Sequence, residues 1–403
     1  MLSINTYSGG LRRTRSWGAD SLWATLQRLS RGYVTWLLYA VFGCMAFLLN
    51  GLGAVLAPLQ IELGVKRGDV AFYPSLFALG LVVVGLSGGS LVGRIGRRAT
   101  LRLSIGGMVL GAVLFAVPGR IASLLGAMLL GLGAALLIQL VPALLAGIHG
   151  QSATAAVGEA NGVASAASVL APLAVGAALS IGLGWRIGYL AMPLVALAVA
   201  FLPAWRLNVP AAQVFAGDPR SRTVAPLFWR WFDLLVAVSV EFCMVFWAAS
   251  AMGEWHHATT AQAPALASLF LAGMATARFL ASPITRLLTD SRVVILTSIG
   301  IATVGFALFW AAPILVVAAV GLTVTGFGIA MLYPTIVSLL IATWPQAPDQ
   351  AAARAALASG LAIGVTPFLL GRLSDAIGLR AAYLIVPALL AVLTVRSLIA
   401  RRR

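Results

Sequence analysis

The stretch LLVAVSVEFCMVFW, residues 234–247, holds one carboxylate, Glu241, inside an otherwise apolar run. No other acid of the chain stands near the middle of a long apolar segment. Taking a carboxylate out of water penalises its charged form, so small changes in its surroundings decide whether it holds a proton. Three chemistries fit. The leading one is proton uptake and release; the others are a permanently protonated acid giving one hydrogen bond to a neighbouring helix, and direct binding of a cation. Beside it, Phe242, Phe246 and Trp247 offer ring faces for a ligand, or packing against lipid and other helices. The remaining candidates carry less. His149, His256 and His257 lie between apolar runs with no acid or thiol at ligand spacing, so no metal is expected. Cys44 and Cys243 each sit within an apolar run and are expected as free thiols. The chain has no G-x-x-x-x-G-K-[ST] loop and no polar stretch able to form a nucleotide-hydrolysing domain. It also lacks the clustered His, Asp or Glu that a membrane enzyme needs at one interface. The expectation is a protein without catalysis and without a cofactor.

The elements that must position Glu241 follow from composition. Of 403 residues, 61% are hydrophobic and only 9% charged, against about a quarter charged in a soluble domain. About 20 apolar residues as helix cross the roughly 30 Å hydrocarbon layer, where the backbone must satisfy its own hydrogen bonds. With Gly, Pro and Arg as punctuation, twelve spans are expected, at 34–60, 70–92, 100–117, 120–147, 154–181, 186–203, 229–253, 263–286, 293–311, 314–342, 354–371 and 381–398. Glu241 then lies about 16 Å into the seventh span at 1.5 Å per residue. The division is an N-terminal segment (1–33), a six-helix bundle (34–203), a linker rich in Pro and Arg (204–228), a second six-helix bundle (229–398) and a basic tail (399–403). Leu22, Leu26 and Leu29 follow helical spacing before the first span, which fits either an interfacial helix or a disordered basic tail.

The net charge of +16 would suggest a nucleic-acid partner on a single soluble face. Here it is scattered through short connections, which excludes that reading. Lys66 is the only lysine. With the N terminus inside, most of the arginines fall on the cytoplasmic side, including Arg94, Arg97, Arg98 and Arg102, and few on the other. The positive-inside rule thus puts both termini in the cytoplasm.

The chain also says things twice. Pro172 and Pro367 are 195 positions apart, Arg186 and Arg380 194, and GLGAALL at Gly131 matches GFGIAML at Gly326. SLFALG at Ser75 matches SLFLAG at Ser268, and CMAF at Cys44 matches CMVF at Cys243. Six spans per copy leave the copies parallel, related by an axis along the membrane normal, which is the plan of rocking secondary transporters.

Between the second and third spans stands GGSLVGRIGRRATL, residues 88–101. It resembles the signature loop of the major facilitator superfamily: Gly89, Gly96, Arg97 and Arg98 match, while Gly93 stands where the family has an aspartate. With twelve spans, a central linker, the repeat and GLGWR at 182–186, the resemblance covers residues 34–398. It implies the superfamily fold, an all-α membrane protein with both termini cytoplasmic, and a cavity lined by the first, fourth, seventh and tenth helices. Those helices carry Tyr39, Asn50, Gln139, Glu241, Trp247, Thr325 and Tyr333 as cavity candidates. Gly89, Gly93, Arg97 and Arg98 belong to the cytoplasmic gate. Since Gly93 lacks the family's latching carboxylate, a pair between Glu159 and Arg278 across the two halves is expected as a substitute that closes the cytoplasmic side and breaks on opening, against separate solvation of the two. Asp233 and Arg230 are expected as solvated groups at the cytoplasmic mouth, and Pro142 and Pro334 as interruptions of the fourth and tenth helices.

The expected function is secondary active transport of a small organic molecule across the inner (cytoplasmic) membrane by alternating access. The family's antiporter pattern is half kept: Gly158, Pro172 and Gly176 are present, while Ala127, Ala171 and Val175 replace family residues. Proton-coupled export is therefore the leading reading, with proton-coupled uptake of a small solute, or lipid transport, as alternatives. The partners expected are that solute, protons and the bilayer, with a monomer sufficing because one chain supplies both halves.

Overall fold

The computed structural model describes residues 32–204, 225–281, 287–288, 290–343 and 348–399. The expected N-terminal segment with its interfacial helix, the body of the linker and the basic tail lie outside these. The first bundle contains α1 (Tyr33–Leu63), then Phe72–Ala116, in which α2 (72–95) and α3 (97–116) meet at Gly96, then α4 (Arg120–His149), α5 (Ala153–Ser180) and α6 (Ile187–Leu202). The second contains α7 (Phe228–His256), α8 (Gln262–Phe279), α9 (Ser291–Trp310), α10 (Leu315–Ala342), α11 (Ala351–Ile377) and α12 (Leu379–Ile399). Ten candidate spans among the described residues are long and apolar enough to cross a bilayer; α6 is shorter, and α8, 18 residues long, is not among them.

Local chemistry explains the ends and breaks. Gly96 has φ 79° and ψ 161°, a conformation open to glycine, so the signature loop turns there between two helices. α1 stops at Gly64, whose φ of 61° lets its N–H reach the carbonyls of Gln60 and Ile61. α10 breaks between Ile329 and Leu332. Pro334 has no N–H to give the carbonyl of Ala330, and its ring crowds that turn. Pro142, by contrast, lies inside an unbroken α4, so the interruption expected there is absent.

The duplication is visible as repeated contacts. A methyl on Gly131 would run into the backbone of Phe77, and one on Gly326 into that of Phe270. The α2–α4 crossing is thus rebuilt as α8–α10, with backbones touching as small residues allow in lipid. Arg186 Nε donates to Ala116 O at 2.9 Å, and Arg380 donates to Trp310 O at 2.9 Å. Tyr189 donates to Leu48 O, and Tyr383 to Cys243 O. Cys44 and Cys243 are buried free thiols.

Candidate functional site

Between the bundles lies a cavity of about 910 Å³. Its lining comes from both halves: Asn50 and Phe42 from α1, Gln139 from α4, Ser168 from α5, Glu241 and Phe242 from α7, Arg278 from α8, Tyr333 from α10 and Ser359 from α11. It extends past Ala281, Leu288 and Ser291, the cytoplasmic ends of α8 and α9.

Glu241 and Arg278 carry the charge. Glu241 is 15 residues from the outer end of α7 and Arg278 is 16 from the outer end of α8, so both stand about 22–24 Å from that end at 1.5 Å per residue. A guanidinium nitrogen of Arg278 lies 3.6 Å from the carboxylate of Glu241. Among the described residues neither side chain has a hydrogen bond; the Glu241 side chain is 12% exposed and that of Arg278 40%. Tyr333 lies within electrostatic reach of both. Asn50 donates to Ser168 Oγ at 3.0 Å, and Gln139 to Val84 O at 3.2 Å.

On the outer side the halves are sealed. Arg67 pairs with Glu254, and Asp69 lies 3.8 Å from Arg372 and 3.4 Å from Arg120. Asp375 accepts from the backbone N–H of Gly68 at 2.9 Å, and a methyl at 68 would sit 2.6 Å from side-chain atoms of both Asp375 and Arg372. Deeper in, Ser75 donates to Gly364 O at 2.8 Å and Gly53 lies against the backbone of Val245. The cavity therefore faces the cytoplasm.

Residues 35–253, more than half the chain, match the sequence profile of the Major Facilitator Superfamily. The chain belongs to that superfamily. Solved structures with the superfamily fold agree: an inward-facing, unoccupied bacterial homologue of the human lysosomal transporter Spinster aligns at TM-score 0.73 and 16% identity, over 92% of this chain and 96% of the other. The Escherichia coli fucose:proton symporter aligns at TM-score 0.61 and 18% identity, over 90% and 97%. No curated protein matches by sequence.

Within this superfamily fold, four of the seven expected cavity residues, Asn50, Gln139, Glu241 and Tyr333, converge on one space. The other three do not. Trp247 is fully buried at the outer seal, where its indole N–H donates to Pro367 O at 2.9 Å. Thr325 turns its hydroxyl back to Gly321 O at 2.6 Å, and Tyr39 donates to Glu159 at 2.8 Å. The gate pair between Glu159 and Arg278, expected to break when the cytoplasmic side opens, is apart in this cytoplasm-facing form. Arg278 turns to Glu241 on the neighbouring helix of its own half, because a carboxylate and a guanidinium at equal depth cost least when they face each other. Asp233 is also corrected: it is buried and holds Arg396 at 2.6 Å, so it clamps α7 to α12, while Arg230 is part-exposed 3.7 Å from it. Gly93 is exposed and a side chain there would meet open space, Arg97 is half-buried and Arg98 exposed, while the side-chain environment at Gly89 is not described. Sequence reasoning missed the seal residues Asp69, Glu254 and Asp375; their signal was the meeting of acids and arginines at the outer ends of spans.

Proposed function

We propose that the chain is a secondary active transporter of a small organic solute, working by alternating access in the cytoplasmic membrane, with Glu241 as the group that carries the coupled proton. The observation behind this reading is the Glu241–Arg278 pair in a cavity sealed on one side and open on the other. A carboxyl with one cationic neighbour and no hydrogen bond among the described residues changes protonation without unfolding its surroundings. The same pair bears on direction. A cation beside Glu241 opposes its protonation, so a proton enters readily only when cargo replaces Glu241 on Arg278; proton and cargo then move together, which favours proton-driven uptake. Export remains the second reading, favoured by the apolar and aromatic lining and by Gly176 of α5, where a methyl would sit 2.6 Å from Ala261 O of the other half. No chemical step is involved, and one chain supplies the whole cavity.

The test is reconstitution into liposomes with an imposed pH gradient, a solute panel offered from either side, and a trapped pH dye. The expected outcome is gradient-driven movement in the wild type, and exchange without proton coupling in Glu241→Gln. Intact coupling in Glu241→Gln overturns the assignment.

A further inference from the structure

Two arginines of the fold outside the cavity are anchored by short hydrogen bonds. Arg186 grips Glu62 through two nitrogens at 2.6 Å each, and donates to Ala116 O besides. Arg396 holds Asp233 at 2.6 Å, donates to Trp229 O at 3.2 Å and stacks on the Trp229 ring at 4.2 Å. Arg278 has one neighbour at 3.6 Å and no hydrogen bond among the described residues, although a guanidinium carries five N–H donors in a planar fork suited to a carboxylate. Its unused donors belong to a side chain that lines the cavity.

Charge counting then selects the cargo. The titratable groups lining the cavity are Glu241 on α7, Arg278 on α8 and Tyr333 on α10; α1, α4, α5 and α11 present Asn50, Gln139, Asn161, Ser165, Ser168 and Ser359, none of them ionisable in this range. With Glu241 ionised, the pair is neutral. When Glu241 takes a proton, Arg278 is left as an uncompensated cation in a largely apolar space, a state that an incoming anion relieves. A cation entering the ionised pair would leave two positive charges sharing one negative. Like charges so placed repel.

We infer that the cavity takes an organic anion with an apolar body, whose carboxylate replaces Glu241 on Arg278 when Glu241 carries a proton. This rests on the transport reading above and names its substrate class. The apolar body lies against Phe42, Met45, Phe242, Leu271, Met274 and Met331. By linkage, proton and anion each strengthen the binding of the other, so they travel in the same direction.

The probes are benzoate, hexanoate and benzenesulfonate, with benzamide and benzylamine as neutral and cationic counterparts, titrated into the full chain in detergent with thermal unfolding as readout. Between pH 6.5 and pH 8 all five keep essentially the same charge. In the wild type at least one anion binds about tenfold or more tightly than benzamide and benzylamine, and its affinity falls as pH rises and Glu241 ionises. In Glu241→Gln that affinity is high and independent of pH. In Arg278→Gln it drops about tenfold to a hundredfold, the range for one charge-assisted contact, while Arg278→Lys keeps part of it and controls for folding. The inference is overturned if no anion binds, if benzylamine binds more tightly than benzoate, or if Arg278→Gln binds anions as the wild type does. Failure is separable from that of the transport reading: proton movement driven by benzylamine in liposomes removes the anion and keeps the carrier, whereas unchanged coupling in Glu241→Gln removes the coupling role itself.

Discussion

Single residues in this chain are governed by the cost of charge in a low-dielectric space. Glu241 was legible in the sequence because a lone acid in an apolar run has no cheap explanation. Arg278 was legible for the same reason, but its partner was not. Sequence gives depth along a helix through a fixed rise per residue, whereas partnership depends on rotation about the helix axis and on which helix lies alongside. Asp233 shows the same gap: it is near the cytoplasmic end of its span, yet it faces inward and holds Arg396. Breaking a buried pair leaves one charge uncompensated, at a cost of about 3–5 kcal/mol. With the Arg396 side chain 20% exposed, Asp233→Asn is expected near the lower end, about 3 kcal/mol. Chemical unfolding in detergent measures it, and a loss under about 1 kcal/mol would assign the pair to the solvated surface.

At the level of helices, the repeated glycines decide how closely the backbones cross. Gly131 and Gly326 occupy the same position in the two copies, each against a backbone carbonyl of the crossing helix. Gly131→Val and Gly326→Val are therefore expected to cost at least the 1–3 kcal/mol typical of overpacking, read as lost monodisperse protein in detergent. Gly107→Ala, with nothing within 4 Å of the added methyl, is expected to behave as wild type. Equal loss in all three variants would show that the close crossings are not its cause, since replacing glycine raises helix propensity at every one of these positions. The boundaries of most spans were readable from apolar length and from Gly and Pro. The break in α10 was readable from Pro334, but the continuity of α4 through Pro142 was not, because the helix packing around a proline decides whether the freed carbonyl bends the chain.

For the whole molecule, the outer seal and the inner opening are, on the transport reading proposed above, one conformation of a two-state device. Arg67 with Glu254, Asp69 with Arg372, and Asp375 on the Gly68 amide all join one half to the other at the same end. Exposed pairs are worth about 0.5–1 kcal/mol each. Removing the two ion pairs with Glu254→Gln and Asp69→Asn should shift the population toward the outward-open form about five- to thirtyfold. In a chain with Cys44 and Cys243 replaced by alanine and Asn50→Cys in the cavity, labelling by a membrane-impermeant maleimide from outside should speed up by a similar factor. An unchanged rate would mean that the apolar contacts of Gly53, Val245 and Trp247 hold the seal alone.

The sequence alone determined that this is a membrane protein of repeated helices with its positive loops inside, since apolar length, charge asymmetry and duplication are properties of order along the chain. It also picked out the one carboxylate worth following. Only the tertiary structure decided that Arg278 answers Glu241, that Trp247 and Thr325 face away from the cavity, and which side of the molecule is open. Those outcomes depend on helix rotation and on the tilt of one half against the other, and neither is written in the spacing of residues.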